Sequence, residues 1–188
     1  MSQPTSITQE LAAAARGFVA LVTGNRSAAG YFDFSQRGLV GSFIALIVAS
    51  ALTAFGPGLL GVPAEPGTAS RSIILGASLF VLQLGVVYFV LKQMNRLDGF
   101  IPYLVADNWI SLFIAVLTVL VLRLIGAGDF TLLGIGILAI VVEVNIARLI
   151  VTLAPMQIVI FIGAQFAAQF LGVLVLASML PGATAPAV

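Results

Sequence analysis

Glu143, whose carboxyl group can carry a proton, and Gln83 and Gln165, whose amides can hydrogen-bond to it, lie inside apolar runs of this sequence. A carboxylate or amide in hydrocarbon is expensive, so such a group faces protein or trapped water. It marks either a polar contact between helices or a path for protons or ions. Glu143 is the deepest charge: counted back from Thr152 at about 1.5 Å per residue, it lies roughly 14 Å inside its helix. Gln83 and Gln165, counted from their own helix ends, fall at a similar depth, so the three are expected to form one polar layer. Gly136, Ala139 and Ala147 share the helical face of Glu143 and leave room for a neighbouring helix. Packing between helices is the preferred reading of this layer, and a proton- or ion-coupled site is the alternative.

Other charges are fewer still. Arg148 is about 140° around the helix from Glu143 and matches Asp107 in depth, so an Asp107 to Arg148 contact between helices is expected. Gly126-Ala127-Gly128-Asp129 fits the Gly-x-Gly-Asp pattern of intramembrane aspartyl proteases, which need a second carboxylate close by to share a proton. Asp107, the nearest candidate, lies about 33 Å away along one helix, so no dyad is expected and Asp129 reads as a helix cap. Histidine and cysteine are absent, which removes Ser-His catalysis, thiol chemistry and the usual zinc and haem ligands. No glycine-rich phosphate loop with its lysine occurs. The expectation is no catalytic residue, no metal, no cofactor and no enzymatic activity.

These residues are carried by elements of one kind. Of 188 residues 61% are hydrophobic and 8% charged, a composition suited to lipid as solvent. Spans are expected at about 38–60, 72–92, 102–125, 130–152 and 156–180, the first interrupted late by Gly56-Pro57-Gly58 and the last two separated at Pro155. The fold class is thus all-α, a five-helix membrane bundle, with residues 181–188 as a short external tail. Before it, residues 1–37 form a cytoplasmic segment. From Ser6 to Thr23 the residues Ile7, Leu11, Ala14, Phe18 and Leu21 keep helical period, Ser6 and Gln9 are spaced as a capping box, and Gly24 ends the helix. This amphipathic helix either lies on the membrane or docks on its own protein. Ser35 is placed to cap the first span.

Orientation follows from the cations. Arg16, Arg26, Arg37, Lys92, Arg96 and Arg148 fall on the side holding the amino terminus, and Arg71 and Arg123 on the other. The richer side is expected to be cytoplasmic, leaving the carboxyl terminus periplasmic. Tyr103, Asn108 and Trp109 fall toward that side and are expected at the cytoplasmic interface. In the last span Ala164, Ala168 and Gly172 recur at intervals of four, a stripe for close helix packing within the bundle or between protomers. Net charge is +1 without a basic cluster, so no nucleic-acid partner is expected. Membrane lipids, a protein partner or a second copy remain.

Two segments carry a resemblance: Tyr31-Phe32-Asp33-Phe34-Ser35 with Gly38, Ser42 and Phe43, and Pro102-Tyr103 with Ala106, Asn108 and Trp109. Together they resemble an uncharacterised family of small polytopic inner-membrane proteins of Gram-negative bacteria, which implies that membrane as the location. In layout, the chain is more distantly similar to Yip-type five-span proteins, linked to membrane trafficking and shaping. The function expected is a non-enzymatic accessory, scaffold or membrane-organising subunit, the alternative being a small proton- or ion-coupled transporter or channel built on Glu143.

Overall fold

The computed structural model describes residues 6–61, 63 and 66–179. Those residues form helices and connecting turns, without strands, and five of the helices are long and apolar enough to cross a membrane. The chain is a multi-pass membrane protein with an all-α fold. Its helices are α1 (Ile7–Val22), α2 (Gln36–Leu59), α3 (Thr68–Gln93), α4 (Phe100–Leu124), α5 (Asp129–Asn145) and α6 (Pro155–Met179). Large apolar side chains point outward along the five long helices, among them Ile47, Phe55, Phe89, Phe130 and Phe170. In water such a surface would aggregate; in lipid it is the ordinary exterior. The tail expected at 181–188 lies outside the described residues.

The helix ends show why the chain turns where it does. Ser6 Oγ accepts from the Gln9 backbone N–H at 3.3 Å to start α1. Gly24, with φ +67°, ends it, and the Asn25 N–H closes back onto the Ala20 carbonyl. Asn95, at φ +54°, ends α3 in the same way through Arg96 N–H to Leu91 O. Ser35 Oγ accepts from Gly38 N–H at 3.3 Å to cap α2, and Asp33 Oδ1 accepts from Ser35 N–H at 3.0 Å. Only glycine fits at 38, because a Cβ there would stand 1.8 Å from the Asp33 carbonyl oxygen.

Three local expectations change. The Gly56-Pro57-Gly58 run does not interrupt the first span: α2 continues through Pro57 to Leu59. Proline removes one backbone donor near the helix end, where the remaining turn is held by Leu60 N–H to the Gly56 and Pro57 carbonyls. Asp129 does not cap α5; Gly128 occupies the cap position, and Asp129 is an exposed acid in the first turn, where it complements the helix dipole. Finally, α5 does not run to Thr152 as one α-helix. It passes at Asn145 into a π-helical turn, Ile146–Ile150, and the chain then reverses through Thr152 at φ +57°. Pro155 opens α6 from its first-turn position, where the missing N–H costs nothing, and Gln157 reaches back to the Ala154 N–H at 2.9 Å.

Two close helix pairs organise the bundle, α2 on α4 and α3 on α6. The first rests on a ladder of small residues in α2, Gly38, Gly41, Ser42, Ala45 and Ala49, all buried. They let α4 approach along Leu104, Val105, Asn108, Trp109 and Leu112, which are buried in turn. Helix α1 does not lie apart on the membrane surface. It docks against α2, α4 and α5, burying Glu10, Ala14, Gly17 and Leu21.

Candidate functional site

The polar residues of the inner bundle gather around one phenol. Tyr103 lies in the first turn of α4, just after the short 3-10 turn Leu97–Gly99, and its side chain is 1% exposed. Phe161 of α6 meets its ring edge-on at 5.3 Å between centroids and fixes its direction. The hydroxyl lies 2.7 Å from Gln165 Oε1 and 3.1 Å from Glu143 Oε1, two acceptors for its single proton. It accepts in turn from Gln83 Nε2 at 2.9 Å. Gln83 Nε2 also reaches Gln165 Oε1 at 3.2 Å, Gln165 Nε2 donates to Glu143 Oε1 at 3.0 Å, and Gln169 Nε2 donates to Gln83 Oε1 at 2.9 Å.

Gln83, Glu143 and Gln165 therefore stand together, on α3, α5 and α6, with Tyr103 of α4 at their centre. Counted from Ile150, Glu143 is about 10 Å from the helix end, shallower than the sequence spacing implies because the π turn shortens the helical run. Gln165 is buried, whereas Glu143 is half-buried. Chemically the cluster can hold a proton between Glu143 and Tyr103 and can lock four helices together; every bond drawn here joins different helices.

The Asp107 to Arg148 contact does not form. Among the described residues the one salt bridge joins Arg96 to Asp98, at 3.4 Å. Arg148 lies in the π turn, which rotates it outward to an exposed position. Asp107 instead lies within electrostatic reach of Glu143 and Tyr103. The cation that does work between elements is Arg96. Its guanidinium donates to the Val151 carbonyl, to Thr152 O at 2.8 Å and to Thr152 Oγ1 at 2.7 Å, tying the α3–α4 turn to the α5–α6 turn.

Tyr103, Asn108 and Trp109 are not at a cytoplasmic surface: they are 1%, 0% and 4% exposed. Position near a helix end suggested an interface, but α1, α2 and α6 cover that part of α4. Asn108 Nδ2 donates to Ser42 Oγ at 3.1 Å, and the Trp109 ring stacks with Phe113 at 6.4 Å. Tyr88, by contrast, stays exposed, with Lys92 Nζ 6.0 Å above its ring, an arrangement suited to a headgroup boundary.

One buried acid has no counterpart among the site residues expected from the sequence. Glu10 of α1 is 5% exposed and receives the Trp109 indole N–H. Burial raises its pKa most, and the nearby Asp33 charge adds to that; the indole bond and Arg37 pull the other way. Its Oε1 has no hydrogen-bond partner and lies 2.5 Å from where a Gly41 Cβ would stand. The signal that could have found it is Gly41, a gap in α2, together with an acid on the alanine-rich face of α1. At the other end of α1, Asn145 Nδ2 donates to the Leu21 carbonyl at 2.8 Å.

The small-residue stripe of α6 faces α3. At Gly172 an added Cβ would stand 2.7 Å from Leu82 Cδ2 and 2.8 Å from Leu79 Cδ2, while Ala164 and Ala168 are partly buried beside it. Among the described residues no group of three acidic side chains could hold a metal ion. No protein-family model, curated protein or solved structure matches the chain.

Proposed function

We propose that this chain is a non-enzymatic accessory or scaffold subunit of the bacterial inner membrane, with its amino terminus cytoplasmic and its carboxyl terminus periplasmic. The observation that carries this reading is the filling of the Tyr103 cluster by protein. Glu143 Oε1 takes its hydrogen bonds from Tyr103 and Gln165. A polar layer whose donors and acceptors serve one another fits a rigid bundle that presents its surface to a partner, a second copy or lipid. The resemblance of the Tyr31–Ser35 and Pro102–Trp109 segments to small inner-membrane proteins agrees with the location.

One observation favours a second reading. Asp107 and Glu143 place two carboxyl groups within electrostatic reach of each other beside a phenol, a grouping that a small proton-coupled transporter would use. Cysteine labelling separates the two, since the chain has no cysteine of its own. Glu143→Cys in sealed vesicles resists a membrane-impermeant maleimide from both faces if the bundle is a scaffold. Rapid labelling from either face favours the transporter. Affinity purification from native membranes then tests the partner directly: a defined membrane complex must accompany the tagged chain.

A further inference from the structure

The seat of α1 is built around a group that resists ionising there. Glu10 packs into the space left by Gly41 on α2, its Oε1 is buried without a hydrogen-bond partner, and the Trp109 indole of α4 hydrogen-bonds the carboxyl group. A carboxylate that gives up water for one hydrogen bond and an orphaned oxygen is poorly compensated; a neutral carboxyl loses far less. The remainder of the seat is apolar: Leu21 is fully buried, Phe18 stacks on Phe113 at 5.6 Å, Ala14, Gly17 and Ala20 are small enough for close approach, and Asn145 holds the Leu21 carbonyl. Glu10 is the one ionisable side chain that α1 buries there, so its protonation state shifts the balance between seated and released helix.

The charged neighbours come from each element around Glu10. Asp33, in the segment before α2, opposes ionisation by repulsion, and Arg37, in the first turn of α2, favours it. From α4 the group facing Glu10 is the Trp109 indole, which does not titrate. Helix α5 touches α1 at its far end, through the neutral amide of Asn145.

We propose that Glu10 makes the docking of α1 a proton-controlled latch: with the carboxyl neutral, α1 is seated against α2 and α4, and loss of that proton to water releases it. The sign follows from the direction of the shift. A carboxyl held neutral more readily in the docked state than in the released one contributes docking stability below the released-state pKa of about 4.3, and this is lost as pH rises through the docked value. Release uncovers Trp109 and frees an amphipathic helix for the adjoining headgroups, so pH on that side of the membrane sets where α1 lies.

Trp109 is the sole tryptophan, so its emission reports this seat in the intact chain. With the full-length protein in phosphatidylcholine nanodiscs, emission is expected to shift to the red between about pH 4 and about pH 9, with a midpoint above the ordinary glutamate range. Amide exchange in α1 should rise at least about tenfold across the same transition. In Glu10→Gln both readouts become flat. Asp33→Asn, which keeps the acceptor for Ser35 N–H, lowers the midpoint, and Arg37→Gln raises it. If Glu10→Gln does not fold, these two variants decide. Emission that does not change with pH, a titration that persists in Glu10→Gln, or midpoints unmoved by both neighbours would overturn the latch.

Discussion

The Tyr103 hydroxyl and Gln165 Oε1 stand 2.7 Å apart, a contact that joins the first turn of α4 to the middle of α6. The same hydroxyl takes the Gln83 amide and reaches Glu143, so one oxygen atom links four helices. Tyr103→Phe keeps the edge-on contact with Phe161 and removes only that oxygen. Hydrogen bonds between membrane helices contribute about 0.6 kcal/mol each on average, reaching ~1.7. Losing a shared hub should therefore cost about 1–2 kcal/mol of unfolding free energy, measured by denaturation in mixed micelles. A loss below about 0.3 kcal/mol would show that the cluster does not hold the bundle.

Two glycines on different helices should respond oppositely to the same enlargement. Gly172 has Leu82 and Leu79 where its side chain would go, whereas Gly136 has nothing within 4 Å. Gly172→Leu must push α3 and α6 apart and should cost about 1–3 kcal/mol. Gly136→Leu should be neutral or mildly stabilising, since leucine is the better helix former by up to about 1 kcal/mol. Thermal stability of the two variants, measured side by side in one detergent, checks this. Equal loss at both positions would mean that α5 also packs through Gly136, between copies of the chain.

Much of this architecture is legible in the residue pattern, because the pattern is local. Runs of apolar residues of bilayer length set the five long helices, and Pro155 marks the reversal between the last two. The meeting of Gln83, Glu143 and Gln165 was readable from depth, since polar groups at one level of a lipid slab have only one another to satisfy them. Facing, however, depends on helix order. Tyr103, Asn108 and Trp109 sit where a surface is expected, and α1, α2 and α6 cover them. Arg148 matches Asp107 in depth but not in azimuth, because the π turn adds a residue to the helical count. Glu10 was hidden for a related reason: its seat exists only because Gly41 of α2 stands opposite it.

The proposed orientation rests on all five long helices crossing the membrane, which would leave the two ends of the bundle on opposite sides. It takes the side holding Arg16, Arg26, Arg37, Lys92, Arg96 and Arg148 as cytoplasmic, the assignment that the positive-inside bias favours. Paired reporters at the carboxyl terminus should therefore give alkaline phosphatase activity and no green fluorescent protein signal. An added single cysteine at Ser27, on the exposed turn after α1, should be shielded from an impermeant reagent in intact cells. The opposite pattern in both tests reverses the orientation, and the same compartment in both removes the five-crossing topology itself.

Arg96 illustrates how a cation that biases topology can also hold a turn. Its fork reaches Val151 O, Thr152 O and Thr152 Oγ1, supplying donors to carbonyls that the end of a helix leaves without partners. Thr152 meanwhile sits at φ +57°, a conformation that a β-branched residue adopts only when its surroundings impose it. Lysine keeps the charge but offers a single nitrogen, so it cannot span the carbonyls and the hydroxyl together. Arg96→Lys should preserve membrane orientation while costing about 1–2 kcal/mol of stability, on the scale of charge-assisted hydrogen bonds in a partly exposed site. Amide exchange around residues 151–154 should accelerate, with that around Tyr103 unchanged. Restoring the loss by Thr152→Gly, which relieves the backbone without returning the guanidinium, would establish that the arginine's main task is to impose that turn. If glycine restores nothing, the hydrogen bonds themselves hold α5 and α6 in register.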